Sequence, residues 1–168
     1  MDERARLKAL LLQKSCRTGT FTLTSGKTSD FYVDGKQTTL DAEGAYLCGR
    51  LLYQFLRDHG EPLAAVGGMT LGADPLVTAV SLVSFLEHAP IPAFIVRKEA
   101  KGHGTGNYIE GTTGGTLLKV IDRVEAEGFR VGLVATIVDR EEGGAAALAA
   151  RGYPLKAVFT RAQLIGEG

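Results

Sequence analysis

Residues 63–88 read LAAVGGMTLGADPLVTAVSLVSFLEH. The apolar run Leu63–Val66 ends in Gly67-Gly68, as a buried strand turning sharply would. Asp74-Pro75 then supplies an N-cap followed by proline at the first helical position, which predicts a helix over 75–88. Strand, glycine loop and helix make half of a βαβ unit, and the same order repeats downstream. Pro92–Val96 is a second apolar strand. Thr116–Glu127 is amphipathic, with Leu117, Val120, Ile121 and Val124 inward and Gly128 as terminator. Val131–Val138 reads as a buried strand, Glu141–Ala150 as a helix and Leu155–Phe159 as a last strand. Strands alternating with helices predict an α/β fold, a Rossmann-like parallel sheet flanked by helices.

Upstream of this repeat, Asp2 can cap a first helix in which Leu7, Leu10 and Leu11 share a face. Two short strand-like pieces follow, near Phe21–Leu23 and Phe31–Val33. Asp41 then opens a helix in which Ala45, Cys48, Leu51, Leu52, Phe55 and Leu56 recur at helical spacing, with Gly60 as its stop. The chain of 168 residues therefore reads as a single α/β domain (1–168) carrying a small N-terminal appendage.

Composition narrows the function classes. Lys+Arg and Asp+Glu are both 19, so the formal charge is zero; a nucleic-acid-binding surface usually shows as a basic excess. No apolar run approaches membrane-spanning length. MDERARLKALLLQKS lacks the form of a signal peptide, and Cys16 and Cys48 match no metal spacing. These features predict a cytoplasmic protein with reduced thiols. Glycine is enriched, at 22 residues, which points to loops where backbone turns tightly or approaches a ligand.

In parallel sheets ligands sit at the carboxyl ends of strands, beside helix N-termini. Three loops fall there: 67–74, 97–111 and 112–116. Thr112-Thr113-Gly114-Gly115-Thr116 opens a helix, where free N–H groups and hydroxyls make either an anion cradle or an ordinary N-cap with a flexible turn. Arg97, Lys98, Lys101 and His103 place four potential cations among glycines, a set able to wrap a polyanion such as pyrophosphate. Gly102, Gly104 and Gly106 would let that loop close over a substrate. Neither GxxxxGK[ST] nor a GxGxxG between strand and helix is present, so the common nucleotide motifs are excluded. His59, His88 and His103 form no metal-ligand cluster, and no metal-ligating residue is assigned.

FTLTSGKTSDFYVDGK, VGGMTLGADP, RKEAKGHG, IEG, TTGGT and VDREEGG, in this order, resemble the orotate phosphoribosyltransferase family over nearly the whole chain. RKEAKGHG is the most specific of these; TTGGT resembles the tail of the phosphoribosyl-diphosphate (PRPP) signature of type I phosphoribosyltransferases. The resemblance implies the type I fold, with residues 1–40 forming most of a hood. It implies transfer of ribose 5-phosphate from PRPP to N1 of orotate, giving orotidine 5′-phosphate and pyrophosphate in pyrimidine (UMP) biosynthesis. Thr112, Thr113, Gly114, Gly115 and Thr116 would hold the 5-phosphate. Arg97, Lys98, Lys101 and His103 would bind pyrophosphate, Lys101 and His103 acting catalytically, and some would reach into the partner of a homodimer. Thr112, Arg140 and Tyr32 would contact orotate, with Arg140 pairing its carboxylate. Mg²⁺ is the implied cofactor. Related readings are a phosphoribosyltransferase for another base and a non-catalytic PRPP-sensing regulator.

Two departures from the family pattern stand out. Thr24 occupies a position that is often lysine, and Lys27 follows the glycine instead. More consequentially, a hydrophobic strand ending in two acidic residues normally runs directly into TTGG, whereas here Gly111 is followed at once by Thr112. One peptide bond spans only ~3.8 Å between Cα atoms, far short of a strand. The reading therefore expects a shortfall of roughly 15–20 residues at this point, enough for a turn and a strand.

Overall fold

The structure, a computed structural model, describes residues 2–22, 28–97 and 115–166. Helix α1 (Glu3–Leu10) is capped by Asp2, whose side chain accepts from the Arg4 N–H, and it runs into a π-helical turn at Leu11–Ser15. Strands β1 (Cys16–Thr22) and β2 (Thr28–Val33) form an antiparallel hairpin, with a bulge between Thr18 and Phe21 where Gly19 has φ 145°. A single turn, α2 (Lys36–Thr39), leads to α3 (Ala42–Arg57). As expected, Asp41 caps α3, accepting from the Gly44 N–H at 2.9 Å.

The alternating half follows as β3 (Val66–Met69), α4 (Asp74–Leu86), β4 (Ala93–Val96), α5 (Gly115–Ala126), β5 (Val134–Asp139), α6 (Gly144–Ala149), β6 (Leu155–Thr160) and α7 (Arg161–Ile165). Pairing is parallel, as the alternation predicted. Val66 stands opposite Ala93 and Met69 opposite Val96; Val134 stands opposite Leu155 and Asp139 opposite Thr160. Among the described residues, however, the layer is not one continuous sheet. It consists of two separate parallel pairs, β3–β4 and β5–β6.

Three local expectations need correction. Strand β3 begins at Val66 rather than Leu63 and takes Gly67 and Gly68 into the ladder. A Cβ on Gly67 would fall 2.1 Å from the Phe94 ring across the pair, so glycine lets that ring lie over the strand. Asp74 does not cap α4: that position is Ala73, without a side-chain cap, while Asp74 accepts from the Thr70 hydroxyl at 2.8 Å. Helix α6 begins at Gly144 rather than Glu141. Glu141 and Gly143 have φ of 59° and 90°, which a right-handed helix cannot absorb.

One core joins the N-terminal helices to the alternating half. Leu7, Leu10, Leu11, Phe31, Leu47, Cys48, Leu51, Leu52, Val80, Val83, Ile137, Val158 and Phe159 are all buried in it. The residues predicted at helical spacing on α3 supply its centre; each fully buried leucine contributes ~1.5–3 kcal/mol. On the other face of the layer, α5 straddles the two strand pairs. Val120 packs with Met69 and Val96, while Ile121 packs with Val134 and Leu148. No helix among the described residues is long and apolar enough to cross a membrane, and Cys16 and Cys48 are both free and buried.

Candidate active site

The carboxyl ends of the parallel strands, at Met69, Val96, Asp139 and Thr160, each lead toward a helix N-terminus. Arg97 follows β4 directly and is exposed. Its carbonyl accepts from Arg123 Nη1 of α5 at 2.9 Å, which ties the exit of β4 to that helix. Gly115 is the first residue of α5, and Thr116 follows it, exposed, in the first turn. Both therefore sit where a helix presents unpaired N–H groups. Lys98, Lys101, His103, Thr112, Thr113 and Gly114 lie outside the described residues.

Arg140 leaves the end of β5, and its Nη2 lies 2.7 Å from Glu142 Oε2. Both side chains are partly exposed. The other Glu142 oxygen accepts from Ser29 Oγ on β2 at 3.3 Å. A second tether runs nearby, where Arg161 Nη2 meets Asp30 Oδ2 at 2.6 Å and its guanidinium lies 5.9 Å from the Phe31 ring centre. Glu141 joins the same junction by accepting the Ala162 N–H of α7 at 2.8 Å. These contacts hold the β1–β2 hairpin against the ends of β5 and β6.

Tyr32 is carried on that hairpin. It is 42% exposed and tilts against Phe21, with ring centres 5.5 Å apart, whereas Phe31 is fully buried. The alternation of the strand separates the two, sending one ring to the core and the other to an open surface. Of the residues singled out from sequence, the structure places Arg140 at the turn after β5, where its partner Glu142 tethers the hairpin that carries Tyr32, with Arg97 at the end of β4 and Gly115 and Thr116 at the start of α5. Sequence reasoning missed the roles of Ser29, Asp30, Glu142 and Arg161, although Glu142 stood inside the VDREEGG motif.

Chemically, the edge offers a guanidinium suited to a carboxylate, an aromatic face, and a helix start suited to a phosphate. Among the described residues no group of three or more His, Cys, Asp and Glu is placed to hold a metal. Asp74 Oδ1 and His59 Nε2 are buried without a hydrogen-bond partner. His59 is packed beneath Gly132, whose added Cβ would lie 3.1 Å from that nitrogen.

No family model matches the chain. Its sequence is 48% identical over 174 aligned positions to the orotate phosphoribosyltransferase of Thermosynechococcus vestitus, covering 94% of this chain and 90% of that one. It is 42% identical over 183 positions to that of Sorangium cellulosum, covering 99% and 95%. Among solved structures, the Mycobacterium tuberculosis H37Rv orotate phosphoribosyltransferase in complex with PRPP superposes with a TM-score of 0.74 at 35% identity, covering 96% of this chain and 98% of that one. With that identity, coverage and shared arrangement of strands and helices, the chain belongs to the orotate phosphoribosyltransferase family and has the type I phosphoribosyltransferase fold.

Proposed function

We propose that the protein transfers ribose 5-phosphate from PRPP to N1 of orotate, yielding orotidine 5′-phosphate and pyrophosphate, as a step in pyrimidine biosynthesis. The observation that carries this reading is the tether from the Tyr32 hairpin to the Arg140 turn, made by Ser29 and Glu142, together with the helix start at Gly115. A planar aromatic carboxylate fits Arg140 with Tyr32, and a phosphate fits that helix start.

In this reading Arg140 takes the orotate carboxylate and Tyr32 walls the ring. The start of α5, with Thr112 to Thr116, holds the 5-phosphate, and Thr112 also reaches orotate. Arg97, Lys98, Lys101 and His103 gather the pyrophosphate. The bond from the anomeric carbon to the pyrophosphate oxygen breaks as the carbon–N1 bond forms, through an oxocarbenium-like state. The leaving oxygens gain negative charge, and Lys101 and His103 stabilise it. Orotate N1 reacts as the anion, its proton lost to solvent. Mg²⁺ would be the cofactor, supplying positive charge to the diphosphate oxygens alongside Arg97, Lys98, Lys101 and His103. The β1–β2 hairpin, with the rest of residues 1–40, would form the hood. The working form would be a cytoplasmic homodimer sharing the cationic loop.

The test is a direct one: purified protein, PRPP, Mg²⁺ and orotate, following orotidine 5′-phosphate and pyrophosphate together. Equal or better turnover with adenine or hypoxanthine would move the assignment to another base. The split strand layer favours one second reading, a PRPP-binding protein without transferase activity. PRPP binding by calorimetry without product formation from any base would establish that reading instead.

A further inference from the structure

Three pairs of neighbours in sequence close a ring of contacts at the ends of β5 and β6. Ser29 and Asp30 lie on β2, Glu141 and Glu142 in the turn after β5, and Arg161 and Ala162 at the start of α7. Ser29 Oγ donates to Glu142 at 3.3 Å, the Ala162 N–H donates to Glu141 at 2.8 Å, and Arg161 Nη2 donates to Asp30 at 2.6 Å. Each pair sends one residue to each of the other two segments. The second oxygen of Glu142 pairs with Arg140, so the ring sets the hairpin relative to the Arg140 turn.

The hairpin depends on such a hold. Strands β1 and β2 pair with each other as a two-stranded sheet, and a two-stranded hairpin is marginal by itself. Phe31 anchors one face of β2 in the core, fully buried. Alternation puts Asp30 and Tyr32 together on the other face, where both are exposed. The Arg161 guanidinium engages both sides: it bonds Asp30, and it lies 5.9 Å from the centre of the Phe31 ring, within cation–π reach. Its bond to Asp30 is the shortest of the three links and the one that joins two ions.

Helix α7 gives that guanidinium a fixed base. Thr160 and Gln163 form a capping box at its start, and Gln163 also accepts from Arg4 Nη2 of α1 at 3.1 Å. The first three residues of α7 therefore reach the hairpin, the Arg140 turn and α1 in succession.

We propose that Arg161 is a positioning residue for the orotate half of the site: through Asp30 and Phe31 it sets the strand carrying Tyr32 against the turn carrying Arg140. Arg161 acts through these residues and touches no substrate. The inference rests on the reading that Arg140 and Tyr32 take orotate, and its effect falls on orotate affinity rather than on PRPP or the chemical step.

The experiment compares Arg161→Ala, Asp30→Ala and the double variant with the parent chain, by steady-state kinetics and by amide exchange of the hairpin. Each single variant should raise the orotate KM ~3–5-fold, the range of a partly exposed ion pair. Both kcat and the PRPP KM should stay within about twofold, and Tm within about 3 °C. The double variant should be no worse than either single one, because both break the same link. Amides of the β1–β2 ladder should exchange ~3–5-fold faster in Arg161→Ala, with α3 at the parent rate. Gln163→Ala breaks the cap and the link to α1 but keeps Arg161, and should leave the orotate KM within about twofold.

An unchanged orotate KM, additive effects in the double variant, or an equal rise in Gln163→Ala would overturn the inference. Exchange needs no substrate and so separates the two readings. A parent that makes no orotidine 5′-phosphate defeats the proposed reaction, and hairpin exchange alone then decides whether Arg161 sets the hairpin. Unchanged hairpin exchange defeats the role of Arg161 whichever base is transferred.

Discussion

Arg140 and Glu142 face each other across the turn after β5 at 2.7 Å, with Glu142 also accepting from Ser29 on the hairpin. The residue proposed to take the substrate carboxylate already has a carboxylate beside it. Among the described residues Arg140 makes no other ion pair, so an incoming orotate would share the guanidinium with Glu142 or displace it. Replacing Arg140→Ala should raise the orotate KM by ~10–100-fold, the size of a lost charge-assisted hydrogen bond, with the PRPP KM unchanged. Glu142→Gln should lower the orotate KM by up to ~5-fold, because a partly exposed pair holds at most about 1 kcal/mol. Steady-state kinetics of both variants decide the matter. A higher orotate KM in Glu142→Gln would mean that Glu142 orients Arg140 rather than competing for it.

The cations of the loop after β4 should behave differently. Their proposed work is on charge that develops as pyrophosphate leaves, so removing one should lower kcat more than it raises a KM. Lys101→Ala and His103→Ala should each reduce kcat by ~10²–10³-fold, the cost of losing one preorganised donor to a developing anion, with orotate affinity within twofold of the parent. Single-turnover measurements at saturating substrates would expose the effect. If only the PRPP KM moves, these residues bind the ground state and the catalytic assignment fails.

What could be read from the chain follows the range of the interactions concerned. Helix α3 was legible because its apolar spacing, its Asp41 cap and its Gly60 stop are all local. The parallel pairing was legible from the alternation of elements. Strand β3 was displaced by three residues because its register is fixed by β4, where Phe94 lies over Gly67, and local hydrophobicity does not report a partner. Helix α6 starts late because the turn at 141–143 uses positive φ at Glu141 and Gly143. The tether from Ser29 to Glu142 joins residues 113 apart, and nothing near either one signals the other. Arg140 and Tyr32 emerged from family resemblance alone, since no local pattern distinguishes either from other residues of a turn or a strand. The break in pattern ahead of Thr112 was visible in the sequence and lies outside the described residues.

Two glycines separate rigid from yielding neighbours. An added Cβ on Gly44 would lie 2.2 Å from the Thr38 carbonyl oxygen, whereas on Gly67 it would meet the tip of the Phe94 ring at 2.1 Å. Backbone at the α2–α3 junction cannot withdraw, since Thr38 is fully buried and its hydroxyl is bonded to Ser15 at 2.6 Å. The Phe94 ring is 38% exposed and can swing aside. Gly44→Ala should therefore cost ~2–3 kcal/mol and Gly67→Ala about 1 kcal/mol or less, measured by urea unfolding at constant m-value. Phe94→Ala should remove most of the Gly67→Ala penalty and none of the Gly44→Ala penalty. Equal costs for the two glycine variants would contradict this account.

Cys48 links the core to alkaline stability. It is fully buried on α3, and burial pushes its thiol up to about 12, whereas an unfolded thiol titrates near ~8.5. Between those values the unfolded chain releases this proton and the folded chain keeps it. The contribution is therefore fully present below pH ~8.5 and is lost as pH rises toward 12, at up to ~1.4 kcal/mol per pH unit. Cys48→Ala should start less stable at pH 7, because a buried side chain is shortened. Its stability should nevertheless fall less steeply between pH 9 and 10.5, so the gap between variant and parent narrows. Chemical unfolding at three pH values in that window gives the comparison. Thiol reagents should also leave Cys48 unmodified at pH 8 until the chain unfolds. A gap that stays constant with pH, or rapid labelling in the native state, would show that the thiol is not held in the buried core.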